Sequence, residues 1–368
     1  MTFSVPFCCR RVSVALICFA FGSVLTQSGA VAGVTFTTFV NGSDIVAAVG
    51  QQNTIAFNYA GNKFVGSVYF GPHNSQLYST DLSGGNVQKF GPPIPGAGGE
   101  VVLGASLGLG GFAKGDIFAG SGANTQIYHF SNDGSSQSLF ATLPTGGDIR
   151  QIFFDPGSSF GGNMLVTTAG GDIYKLDSAG NATLLASVHE DTEGLDIAPS
   201  NWGPFAGQLL VSSEGSGALR FISPTGTVTD TGIRVPAAET VSFVPSNLGN
   251  SGNPLEGFYV ANYPFDVQKA GASQFTSFKG DAIITSEFGS NAPLWLVSFN
   301  GTNAVLDSSP IGNLPFQSED GIFVTAQRIQ DVNPGTPQVP EPSSIVLLAV
   351  GAAVTAARAR RRRKPVGQ

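Results

Sequence analysis

Arg150-Gln151-Ile152-Phe153-Phe154-Asp155-Pro156, Glu193-Gly194-Leu195-Asp196-Ile197-Ala198-Pro199 and Glu239-Thr240-Val241-Ser242-Phe243-Val244-Pro245 are three versions of one segment. Each opens on a charged residue and carries large apolar residues at its third and fifth positions. Each ends on a proline, which cannot donate to a strand ladder and so closes the strand. The prolines fall 43 and 46 residues apart. Alternation over five residues is the strand period, and a fixed spacing in the forties is a repeat of whole supersecondary units.

Working outward, each segment is followed by a short apolar run: Met164–Thr168, Gln208–Ser213 and Phe258–Ala261. Earlier equivalents are Ser67–Phe70 and Asp116–Ala119, and a later one is Ala282–Ser286. Most are followed by a third run that ends at a glycine turn, as Ile173–Asp177 does before Gly180 and Leu219–Ile222 before Gly226. About four strands in each unit of about 45 residues predicts an all-β ring, a β-propeller, because one small sheet cannot bury its faces until neighbours stack on it. The body, residues 33–332, has room for six blades. The register slips at the fifth unit, where Phe258–Ala261 and Ala282–Ser286 crowd together. Either six blades are compressed there or 257–280 is an insertion in a five-bladed ring; six is the expectation. Segments 34–40 and 319–325 would then complete one blade from both ends. No stretch sustains a helical period.

The ends of the chain read differently. Arg10 and Arg11 precede an uncharged run from Val12 to Leu25, and Ala30-Val31-Ala32 supplies small residues for a signal peptidase. That order is the secretion signature, and it predicts a leader over 1–32 cut after Ala32. Cys18 is not a lipidation site, since Ile17 precedes it and the apolar run continues beyond it. After a polar linker at 333–339, Val339-Pro340-Glu341-Pro342 leads into the apolar run Ile345–Ala357. Arg358, Arg360, Arg361, Arg362, Arg363 and Lys364 follow as a cytoplasmic stop. Tripeptide, short hydrophobic helix and arginine cluster over 340–368 resemble the PEP-CTERM sorting signal. The resemblance implies recognition by an exosortase, a membrane cysteine transpeptidase that cuts near the tripeptide. It further implies an inner-membrane-anchored precursor, then a cell-surface or extracellular protein of the polysaccharide matrix. The run is short for a stable span, which suits a segment meant for removal.

Charge excludes one class of partner. The whole chain has 18 Lys+Arg and 25 Asp+Glu, but eight of the basic residues lie in the leader and tail. The body is left near −14, a surface that repels nucleic acid. All three cysteines, Cys8, Cys9 and Cys18, lie in the leader, so the mature chain can hold no disulfide, thiolate metal site or cysteine nucleophile.

The repeat, with its x-E-G-x-x-x-x-P core, resembles propellers of the NHL and gluconolactonase-like type, and Glu193-Gly194-Leu195-Asp196 is the nearest local match to the latter. In that group an acidic residue at the start of an inner strand helps hold a divalent cation at the channel mouth. The resemblance thus points to Glu193 and Glu239 as candidate Ca²⁺ ligands, and oxygen donors suit that ion. Glu214 and Glu287 end neighbouring strands, and Asp148 and Asp320 lie near other blade starts; Arg150 interrupts the series. His73, His129 and His189 do not cluster, with His129 expected to face solvent. Trp202 and Trp295 are candidate sugar platforms, with Trp295, inside a strand, expected to be core. No catalytic residues are assigned. The expectation is a non-catalytic binding or structural protein for a polysaccharide or surface protein, with a Ca²⁺-dependent lactonase-like hydrolase as the alternative.

Overall fold

The computed structural model describes residues 33–69, 71, 76–287 and 289–332. The expected leader, sorting tripeptide, apolar run and arginine cluster lie outside these residues. Among the described residues no helix is long and apolar enough to cross a membrane.

The described residues form six antiparallel sheets, one for each blade. It begins with β1 (Thr37–Val40) and a short helix, α1 (Gly42–Val49). The first full blade is β2 (Thr54–Tyr59), β3 (Phe64–Val68), β4 (Leu77–Thr80) and β5 (Gln88–Phe90). The second is β6 (Leu103–Ala105), β7 (Ile117–Gly120), β8 (Gln126–Phe130) and β9 (Gln137–Thr142). The third is β10 (Ile149–Phe154), β11 (Met164–Thr168), β12 (Asp172–Leu176) and β13 (Ala182–Ser187). The fourth is β14 (Leu195–Ile197), β15 (Leu209–Ser212), β16 (Ala218–Ile222) and β17 (Val228–Arg234).

The last two blades exchange strands. After β18 (Ala238–Phe243) the chain leaves the fifth blade to make the hairpin β19 (Gly257–Tyr263) and β20 (Asp266–Gly271). It returns as β21 (Ala282–Ser286), β22 (Ala292–Phe299), β23 (Ala304–Leu306) and β24 (Gly312–Leu314), which complete the fifth sheet on β18. Then β25 (Gln317–Val324) pairs with β19, and β1 pairs with β20, so the sixth sheet runs β25-β19-β20-β1. A final helix, α2 (Ala326–Val332), follows.

The six-blade expectation holds, and so does closure by segments from both ends. The crowding near 257–280 has one cause: β19 and β20 are an excursion out of the fifth blade that fills the middle of the sixth. Reading Phe258–Ala261 as the second strand of the Glu239 blade is therefore wrong; β21 takes that place. The expected strand at 67–70 is β3, set a few residues earlier, and Phe70 lies outside the described residues.

Side-chain alternation packs each sheet between its neighbours. β3, β11, β15 and β21 are buried along their whole length, as second strands covered on both faces must be. The outermost strands β9, β13 and β17 are mostly exposed or half-buried: β9 buries only Ala141, β13 only Ala186, and β17 no residue. Phe258 on β19 shows how the exchanged hairpin is held: its ring meets Phe36, Phe275 and Phe323, so one residue ties the start, middle and end of the body together. Trp202 is fully buried among Phe221, Phe243 and Phe299, and its Nε1 donates to the Gly280 carbonyl. It is core, not a sugar platform. Trp295 is half-buried and packs on the same cluster. The short helices were missed because each is about two turns, too brief for a period to register. α1 buries only Ile45 and Val49, one turn apart, and ends on Gly50 at φ 90°.

Candidate functional site

The strand ladders define equivalent positions around the central channel. Ile152, Leu195, Val241 and Gly321 each sit opposite the same place on their second strands: Val166, Val211, Ile284 and Val260. Two residues earlier, at the mouth where the inner strands begin, stand Arg150, Glu193, Glu239 and Glu319. The sequence repeat aligned the first three correctly. It missed Glu319, because the inner strand of the last blade lies far from the other repeats and lacks their terminal proline. The sequence favoured Asp320 instead. That residue points into the wall: Phe57 N–H donates to its Oδ2 (3.2 Å), and Gln151 Nε2 donates to Oδ1 (3.1 Å).

Glu193 and Glu239 come close because the backbones do. Gly194 N–H donates to Glu239 O (2.7 Å), and a Cβ on Gly194 would stand 2.3 Å from Val241 N. Only glycine allows that approach.

Arg150 is not an interruption but the counter-ion. Its Nε donates to Asp191 Oδ1 (3.0 Å) and its Nη2 to Asp191 Oδ2 (2.6 Å). Nη1 bonds Glu100 Oε2, and Nε lies 3.1 Å from Glu193 Oε1. On the other side Gln317 Nε2 donates to Glu287 Oε1 (3.0 Å) and to Glu319 Oε1 (2.7 Å). Besides burial and Glu319, the Glu214 carboxyl acts on Glu287 and helps raise its pKa. Carboxyl oxygens of Asp191, Glu193 and Glu214 all lie within 4.8 Å of one another.

Eight carboxyls act on one another here: Glu100, Asp148, Asp191, Glu193, Glu214, Glu239, Glu287 and Glu319. Among the described residues, Arg150 is the cation they share. Such crowding favours the neutral acid. Burial raises Glu239 well above the carboxylate range, and the fields of Glu193, Glu319 and Glu287 add to it. Burial likewise raises Glu193, against the pull of Arg150. Glu287 is pushed up to about 8 by burial and by Glu319. Glu319 is pushed up to about 7 by burial, opposed by the Gln317 amide.

The donor set, all carboxylate oxygen, fits Ca²⁺. The guanidinium, however, already sits against two members of the tightest trio, so an ion entering there must displace it. Neither His129 nor His189 is hydrogen-bonded to a mouth carboxyl. His129 is half-buried, not solvent-facing: it bonds Asp116 Oδ2 (2.6 Å) and stacks on Phe118. His189 bonds Ser187 Oγ (3.2 Å). His73 lies outside the described residues. Asp191, not among the residues singled out in the sequence, accepts two bonds from Arg150.

Comparison with known families adds the decisive observation at the other end. The PEP-CTERM protein-sorting motif matches residues 338–363. The chain carries an exosortase-type sorting signal. A protein with the PEP-CTERM motif is exported, anchored in the membrane through its C-terminus, and displayed at the surface, with an exosortase as its processing partner. No curated protein matches the chain. Among solved structures, a virginiamycin B lyase from Staphylococcus aureus is 13% identical with a TM-score of 0.45, over 76% of this chain and 89% of that one. A structural-genomics target assigned as a gluconolactonase gives the same identity and score over 76% and 83%. A chain of a nidogen/laminin complex gives 12% and 0.43 over 66% and 74%. The six-bladed ring stands on its own sheets, without these likenesses.

Proposed function

We propose that this surface-displayed propeller is a non-catalytic binding protein that holds extracellular polysaccharide at its acidic channel mouth, through a bound Ca²⁺. The observation that carries the reading is the charge imbalance there: eight interacting carboxyls share one guanidinium, Arg150. Such a site holds either protons or cations. A Ca²⁺ held by several protein carboxylates retains open positions for sugar hydroxyls or uronate oxygens. Location supports the same reading, because the sorting signal delivers the body to where matrix polysaccharide lies.

The alternative is a lactonase-like hydrolase. What favours it is the trio Asp191, Glu193 and Glu214, whose oxygens lie close enough for one ion. Arg150 occupies two of those three carboxylates, so an ion must displace it in either reading. A glycan array probed in Ca²⁺ and in chelator, beside an assay of lactone hydrolysis, separates the readings. Ca²⁺-dependent retention of polysaccharide without turnover is expected. Lactone turnover lost in Glu193→Gln would establish the hydrolase. Binding to surface proteins but to no glycan would move the ligand class to protein.

A further inference from the structure

The channel has a second end, which the acidic mouth does not use. The inner strands finish there at Phe154, Ile197, Phe243 and Val324, and Gln327 and Arg328 of α2 stand at the same end. Arg328 of α2 reaches inward and donates from Nη2 to Asn58 Oδ1 on the first blade (3.2 Å). Arg328 lines two spaces at once, a small one toward the first and second blades and a large one toward the third to sixth. The larger is a pocket of about 420 Å³, within the size range of small-molecule sites.

Its walls are mostly apolar. Phe153 and Ile322 present accessible apolar surface in mid-channel, and Leu107, Phe243 and Pro245 continue the wall outward. Polar side chains break this surface: Asp196, Ser242 and Thr325 along the inner strands, Ser246 and Asn247 beyond Pro245, and Gln327 and Arg328 on α2. Asp196 is held rigidly, accepting from Phe243 N–H (2.7 Å) and Ile197 N–H (2.6 Å). It lies deep in the ring yet keeps a solvent-reachable face toward the cavity. Arg328 is the one basic side chain on the wall among the described residues. A guanidinium beside an apolar cleft is the arrangement that recognises a carboxylate head on an apolar body, since the fork geometry matches the two oxygens.

We propose that this end of the channel is a binding site for a small aromatic or short-chain carboxylate, its head on Arg328 and its body between Phe153 and Phe243. Burial of Asp196 favours the site further. Its pKa is pushed up to about 7, chiefly by desolvation, with the Phe243 amide opposing. At and below neutral pH it therefore offers a proton to the ligand's head instead of repelling it. The site is independent of the acidic mouth.

The test is calorimetric titration of the exported protein, as the cell processes it, with phenylacetate, hexanoate, benzyl alcohol and benzylamine at pH 6. Saturable binding of phenylacetate or hexanoate is expected, with the alcohol and amine weaker by about tenfold or more. Arg328→Gln should weaken the carboxylates by at least about tenfold. Asn247→Trp changes an exposed residue on the pocket lip, so it closes the entrance without touching the core, and it should weaken them equally. Glu239→Gln, at the opposite mouth, should leave them unchanged. Any of four results would overturn the proposal: no saturable carboxylate binding up to about 10 mM, equal binding of alcohol or amine, indifference to Asn247→Trp, or loss of binding in Glu239→Gln.

Discussion

Arg150 and the glutamates around it set the chemistry of the mouth one side chain at a time. Glu287 and Glu319 have folded pKa values near 8 and 7, above about 4.3 for a free glutamate. Between those limits the folded state binds more protons than the unfolded state, so stability falls as pH rises. The stabilisation is fully present below about pH 4.3 and is lost through pH 7 to 8. Without Ca²⁺, the melting temperature should therefore drop between pH 5 and pH 8.5. Saturating Ca²⁺ should restore more of it at pH 8.5 than at pH 5, because the ion replaces protons. A melting temperature flat across this range would contradict the assignment of these groups. The guanidinium competes with any ion at Asp191 and Glu193, so Arg150→Gln should raise Ca²⁺ affinity by about tenfold. Titration calorimetry reads this directly, and an unchanged or weaker affinity would place the ion elsewhere.

The strand-exchanged hairpin is the element on which ring closure turns. β19 joins β25 to β20, and β20 in turn holds β1, so the sixth blade has no middle without an excursion from the fifth. Phe258 anchors that excursion against Phe323 (4.6 Å between ring centres) and Phe275 (5.9 Å). Phe258→Ala should cost about 3–5 kcal/mol, as deletion of a fully buried ring does. It should lower the urea midpoint and expose the sixth blade to proteolysis before the third. Uniform loss of protection around the ring would mean that closure does not depend on this hairpin. The sequence shows β19 as an apolar run of the right length, yet places it in the wrong sheet. Pairing between strands distant along the chain leaves no mark in a local pattern.

At the scale of the whole molecule, the sorting signal at residues 338–363 decides where the propeller is displayed. Pro340 and Pro342 remove amide donors and fix their φ angles, so the tripeptide is a poor helix former beside the apolar run that follows. The arginine cluster resists passage through the bilayer, at about 2.5–3.5 kcal/mol for each charge. Replacing Pro340-Glu341-Pro342 with alanines should leave a longer, membrane-bound form, detectable by fractionation and immunoblotting. Sorting identical to the parent would show that the tripeptide is not the signal. N-terminal sequencing of exported material should begin at Gly33, and a sequence starting at Met1 would rule out cleavage after Ala32.

Sequence alone determined the all-β ring, its sorting signal and the equivalence of Arg150, Glu193 and Glu239, and it favoured six blades over five. Each of these is written in local alternation, in spacing or in a contiguous signal. Tertiary structure alone decided the blade number, that Glu319 joins them, that Asp191 binds Arg150, that Trp202 is core, and that Arg328 stands at the far opening. In the sequence 128 residues separate Glu319 from Asp191. They share a mouth only because the chain's two ends complete one blade, and a repeat motif cannot encode contacts that exist only once the ring has closed.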